Sequence, residues 1–249
     1  MPSPIPPLPA PSRRLGLALA LLLGASGASA HQLWLEQADQ VIHLRFGEYA
    51  DNLRERSPGL LDKLVQPQAR LQRGDQLLPL ALRRGSDGFA LPMRAGRGES
   101  LLVQDDSYPL IERRDGERVL SRSAWIPAAR WVLGPGALAP QLTLDLLPQD
   151  EPGSFRVVYK GQVLPKARVE VVSPSGWSRS VLADEQGRLR LELPWRGQYV
   201  LEVKHQDPSG GERAGQRYEQ ALYVTTLSLV QTLGPAAPPP PPPAAPSQP

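Results

Sequence analysis

The sequence predicts an all-β protein built as two successive β units. Three observations carry that prediction. Apolar residues recur mostly at every second position, the runs they form are short, and Gly, Pro, Asp and Ser interrupt them at close intervals. That is the pattern of many short, half-buried antiparallel strands joined by turns. Only residues 53–64 carry weak helical spacing, which predicts a short helix or an ordered loop.

Residues 1–30 read as a signal peptide. Arg13 and Arg14 form a basic n-region ahead of the apolar run Leu15 to Leu23, which is too short to span a bilayer. Ala28-Ser29-Ala30 supplies the small residues of a cleavage site, so processing after Ala30 is expected to leave His31 as the amino terminus of a periplasmic protein. The general and twin-arginine routes stay open, because Gly16 stands where the twin-arginine motif favours Phe. Loss of Arg13 and Arg14 lowers the formal net charge from +3 to +1.

The first unit is expected over 31–148. His31 to Glu36 and Val41 to Phe46 flank the polar stretch Gln37 to Gln40 and predict a hairpin. In that hairpin Glu36 faces Val41, Trp34 faces His43 and Gln32 faces Arg45. Alternation then gathers Leu33, Leu35, Ile42, Leu44 and Phe46 on one apolar face. Val65 to Leu71 and Gln76 to Leu82 predict strands around Gly74-Asp75, and Ser100 to Gln104 another. Arg118 to Val132 reads as one or two strands, with Pro127 arguing against a single central one. The segment 133–148 is either the last strand of this unit or a bridge to the next.

The second unit is expected over 149–232. Its strand candidates are Phe155 to Tyr159, Ala167 to Val172, Ser178 to Leu182, Arg188 to Leu193, Gln198 to Lys204 and Tyr218 to Val230. Strands at this spacing, with no helix-length segment between them, predict a small β-sandwich. Residues 233–249 are nearly all Pro and Ala with no apolar face to bury, which predicts a disordered, solvated spacer of polyproline type.

Composition narrows the chemistry. The absence of cysteine excludes a lipoprotein anchor at the cleavage site, disulfides, thiolate ligands and a cysteine nucleophile. Arginines are scattered without interleaved aromatics, so no nucleic-acid partner is expected. No Gly-rich phosphate loop, nucleophile elbow or Ser/His/Asp order is present, and the chain is not expected to be an enzyme. Asp105-Asp106 and Asp184-Glu185 read as turn formers. Trp125, Trp131, Trp177 and Trp195 offer a carbohydrate platform, although large aromatics in sandwiches more often serve as core or seam.

The three histidines remain: His31, His43 and His205. A terminal His31 offers its amine and Nδ1 to one ion in a small chelate ring, and such nitrogens suit Cu(II) and Ni(II). His205 continues the alternating set Tyr199, Leu201, Val203 just past the end of its strand, at the rim of the sandwich. Docking of the two units would bring it to His31. The metal site expected is therefore the His31 amine, the His31 imidazole and the His205 imidazole, with Asp207 or Glu212 as possible carboxylates. His43 falls beside Trp34 on the opposite face and is expected to be a surface residue.

The opening His31-Gln32-Leu33-Trp34-Leu35-Glu36 resembles the mature terminus of the periplasmic domain-of-unknown-function 4198 family, described as nickel- or cobalt-uptake proteins. The second half is similar to that family's C-terminal module in Gly161 to Val169, Asp184 to Leu189, Pro194 to Tyr199, His205, Gly210-Gly211, Tyr218 and Thr225-Thr226-Leu227. The resemblance implies a transthyretin-like (prealbumin-like) or carboxypeptidase-regulatory-like sandwich. It further implies Ni, Co or Cu as the ion carried and a membrane metal transporter as partner. Two rivals stand beside it: a metal-free envelope sandwich, and a histidine-brace copper oxygenase using His31 and His205.

Overall fold

The computed structural model describes residues 31–38, 41–93 and 95–247; the expected signal peptide lies outside them. From His31 onward the chain forms one compact unit. The strands of its first part are β1 Gln32–Ala38, β2 Val41–Glu48, β3 Leu53–Arg54, β4 Gln68–Arg73, β5 Gln76–Leu80, β6 Arg83–Arg84, β7 Phe89–Leu91, β8 Glu99–Gln104, β9 Ile111–Asp115 and β10 Arg118–Val132. Those that follow are β11 Leu144–Pro148, β12 Ser154–Tyr159, β13 Gln162–Val163, β14 Arg168–Val172, β15 Ser178–Leu182, β16 Arg188–Arg190, β17 Gly197–Asp207, β18 Gly211–Arg213, β19 Gln216–Tyr218 and β20 Gln220–Gln231. A single 3₁₀ turn, Leu60–Lys63, is the helical element among the described residues, and it falls in the stretch with weak helical spacing. The fold is all-β, as the alternation predicts. No helix among the described residues is long and apolar enough to cross a membrane.

A nine-stranded sheet, ordered β15-β14-β17-β20-β10-β8-β4-β5 with β9 also on β10, runs through the whole unit. Side chains of β20 divide between its two faces. Leu222, Val224 and Val230 join Leu33, Leu35, Ile42, Leu44, Phe46, Trp125 and Trp131 in one core, under the sheet β1-β2-β7-β6. Leu227 and Leu229 join Phe155, Val157, Val169, Leu201 and Val203 in the other, under the sheet β11-β12-β13. The period of two along one strand thus supplies both cores. The halves meet where β10 and β20 pair in parallel from Ser123↔Gln220 to Val132↔Leu229.

Three details differ from expectation. Arg118–Val132 is one strand, not two. Its Pro127 falls in the gap where pairing with β9 ends at Ser123 and pairing with β8 begins at Ala128, so the missing N–H costs no ladder bond on that side. Leu144–Pro148 belongs to neither the first unit nor a bridge, but pairs with β12 in the second core's sheet. The hairpin pairs Glu36 with His43, Trp34 with Arg45 and Gln32 with Gly47, two residues from the expected register, because the ladder continues to Ala38↔Val41.

The Pro/Ala tail is largely exposed, and it is also tied to the body at several points. Pro235 O accepts from Arg196 N at 2.8 Å, Ala236 bridges to Arg196, and Pro241 O accepts from Asn52 Nδ2 at 2.8 Å. Gly176 lets it pass: with φ at +83°, a Cβ there would lie 2.8 Å from Pro241. A polyproline stretch has unpaired carbonyls to offer, and the body of the protein supplies donors for them.

Candidate functional site

His31 stands at the start of β1 on the face of the first core. Its ring packs against Phe46 at 5.1 Å, and Phe46, Tyr108 and Trp125 extend the aromatic floor below it, Tyr108 and Trp125 being 4.6 Å apart. The side chain is 11% exposed. Nε2 lies 2.6 Å from Glu55 Oε1, and Glu55 is fully buried. The Glu55 N–H bonds to Phe46 O at 2.8 Å, which fixes the backbone at that point. Both Glu55 oxygens also accept from Ser247 of the tail, Oε1 from the hydroxyl at 2.6 Å and Oε2 from the backbone N–H at 3.1 Å.

These contacts place one imidazole proton. A carboxylate accepting on both oxygens needs Nε2 to carry a hydrogen, so Nδ1 is the ring nitrogen left to meet another partner. Nδ1 is buried and has no hydrogen-bond partner. Glu48 Oε1 is 3.4 Å from it. That carboxyl is pushed above its ordinary value by burial and by its hydrogen bond with Asp51, with Asp51 and Glu55 adding repulsion against the pull of His31. Burial, followed by the charges of Glu55 and Asp105, pushes the Tyr108 hydroxyl up to about 12, so it stays a neutral phenol.

His205 is elsewhere. It lies within β17, opposite Tyr223, and not beyond the strand's end. Its ring packs tilted against Tyr159 at 4.2 Å, on the face of the second core. The central sheet therefore separates His31 from His205, and the structure does not bring the two together. Asp207 is committed to Lys160 Nζ at 2.8 Å, Ser209 N at 2.8 Å and the Tyr159 hydroxyl, contacts that hold its carboxyl far below the usual range. His43 pairs with Glu36 across the hairpin and is not beside Trp34 in register. Trp125 and Trp131 are core residues, whereas Trp177 and Trp195 line a surface cavity of about 190 Å³ with Tyr199 and Arg179.

Glu48 and Glu55 are the residues that sequence reasoning misses. With Asp51 they are the three acids of the turn-rich stretch 48–55, and neither spacing nor periodicity marks them. Among the described residues no group of three or more His, Cys, Asp or Glu side chains is gathered into a ready metal cage. The arrangement at His31 is smaller: one open ring nitrogen, one carboxylate across from it, and a second carboxylate on the far side of the ring. No family model, curated protein or solved structure matches the chain.

Proposed function

We propose that the protein, exported and cut after Ala30, carries one transition-metal ion on the His31 amine and Nδ1, with Glu48 as carboxylate ligand. The observation that carries this reading is the enclosed Nδ1, which makes no hydrogen bond and faces the Glu48 carboxyl. Nδ1 is also the ring nitrogen that can close a chelate with the amine of its own residue. Its 3.4 Å separation from Glu48 Oε1 is about that of two ligands sharing an edge around an ion with bonds of ~2.0–2.2 Å. Glu55 then has the supporting role common at metal-bound histidines, accepting the other N–H and holding the ring's orientation.

Amine, imidazole and one carboxylate favour Ni(II), Co(II) or Cu(II) over harder ions. Few protein ligands and open positions suit an ion that is handed on, so the function we infer is periplasmic capture of such an ion for a membrane transporter. The resemblance of the terminal His31 to Glu36 segment to uptake-associated proteins points the same way.

Calorimetric titration with Ni(II), Co(II) and Cu(II) tests this on processed protein against a form carrying one extra residue before His31. One-to-one binding that the extra residue and His31→Ala both abolish is the expected result. Equal binding in both forms would place the ion away from the His31 terminus, and no binding would leave His31 as an ion-pair residue between Glu48 and Glu55 in a metal-free envelope protein. Affinity should fall as pH is lowered, because metal ligands must give up their protons to bind and the Glu48 carboxyl, raised by burial, takes its proton back sooner than an ordinary carboxylate.

A further inference from the structure

The two ends of the nine-stranded sheet are unlike. At one end β5 carries Pro79 in mid-strand, which has no N–H to offer a further strand. At the other, β15 is Ser-Arg-Ser-Val-Leu, with no proline, lysine or bulge to blunt it. Pairing with β14 fixes which backbone groups β15 leaves over. Trp177 O accepts from Ser173 N at 2.8 Å, and Ala183 N donates to Ala167 O at 2.9 Å. Bonded pairs recur at every second residue of an antiparallel ladder, so Arg179 and Val181 also turn their polar groups toward β14. Ser178, Ser180 and Leu182 therefore point N–H and C=O outward, and all three are exposed. Trp177, 77% exposed, and Leu182, 58% exposed, flank this open row.

We propose that β15 is a self-association edge, to which a second copy of this chain adds antiparallel about a two-fold axis through Ser180. In that register Ser180 faces its own copy and Ser178 faces Leu182 of the partner subunit, so all three outward residues exchange both of their bonds. The charge pattern selects this axis. Arg179 is the single charged residue of β15, and the axis sets it opposite Val181, while an axis through Arg179 would set two guanidiniums face to face. Trp177 then lies diagonally across the seam from the half-buried Val181, and exposed apolar surface of both leaves water. A strand-to-strand seam of this length is a small interface, at or below about 1,200 Å² in total, so the association expected is weak and concentration-dependent.

Sedimentation velocity from low to high micromolar protein tests this, alongside Ser180→Pro. That substitution removes an N–H that no strand of the fold uses, so the variant is expected to keep the parent's circular dichroism and melting temperature while staying monomeric where the parent dimerises. Ser180→Cys provides a second readout in a chain without cysteine. Facing Cα atoms in such a pair are about 5.5 Å apart, within disulfide reach, so oxidation is expected to give a covalent dimer. A cysteine at exposed Val163 should give none. A parent that is monomeric throughout, a folded Ser180→Pro that dimerises equally, or equal cross-linking at 163 overturns the proposal. Should Ser180→Pro fail to fold, the cysteine pair decides.

Discussion

At His31 the two ring nitrogens have separate tasks, and the division comes from Glu55. A buried carboxylate that already accepts two bonds from Ser247 can take the Nε2 hydrogen but has none to give back. Glu55→Gln keeps the shape and removes the charge. Its amide also brings two hydrogens of its own into a site furnished with donors. Under the proposed function, metal affinity should fall roughly 10- to 100-fold, as for other residues supporting a metal-bound histidine. Competition titration against a chelator of known affinity measures this, and an unchanged affinity would remove Glu55 from the site. How much of this was legible varied by residue. His31 stood out because cleavage would make it terminal, and the alternation of Tyr199, Leu201 and Val203 correctly gave the face on which His205 lies. Glu48 and Glu55 did not stand out, because they meet His31 only after β2 and β3 have folded back past it. Ser247 reaches Glu55 from 192 residues away, a separation at which no local pattern exists.

Individual strands were read more securely than their partners. All six strands expected over 155–230 are present, since glycine-bearing turns bound most of them and each has an apolar face. The β1–β2 register was missed by two residues without harm to the faces: an even slip moves every side chain along its strand and none through it. Leu33, Leu35, Ile42, Leu44 and Phe46 accordingly share one core despite the shift. Polar residues inside strands were harder to interpret. Arg130 of β10 is fully buried, with Nε and Nη2 on the Asp145 carboxylate at 2.9 and 2.6 Å and Nη1 on Gln72 and Ser100. Asp145 also accepts from the N–H groups of Gln141 and Leu142, so this pair ties the stretch before β11 to the central sheet. Arg130→Leu would leave a buried carboxylate without its counter-charge and should cost about 3–5 kcal/mol. Urea unfolding followed by tryptophan fluorescence measures it, and a loss below about 1 kcal/mol would mean that water replaces the guanidinium.

On the scale of the whole molecule, sequence patterning anticipated two successive units but not the sheet that runs through both cores, by which Val224 joins the first core and Val132 the second. Nor did it see that the tail is bound. Periodicity registers side chains that seek burial, and the segment from Gly234 onward holds on mainly through its carbonyls and one serine. Removing residues 234–249 strips partners from Asn52 Nδ2, Arg196 N and the buried Glu55, and should lower stability by about 1–3 kcal/mol. Chemical denaturation of the truncated chain checks this; an unchanged midpoint would show that these bonds merely replace bonds to water.

The parallel seam between β10 and β20 has a consequence in time. Antiparallel neighbours can form as soon as a turn is made, but Ser123 must wait for Gln220, about 100 residues later in synthesis. Until β20 arrives, the place of Val224 in the first core is vacant and one side of Trp125 lacks its cover. The earlier half of the chain therefore cannot finish ahead of the later half. The protein is expected to fold late, slowly and in one step, completed by the strand that closes both cores together.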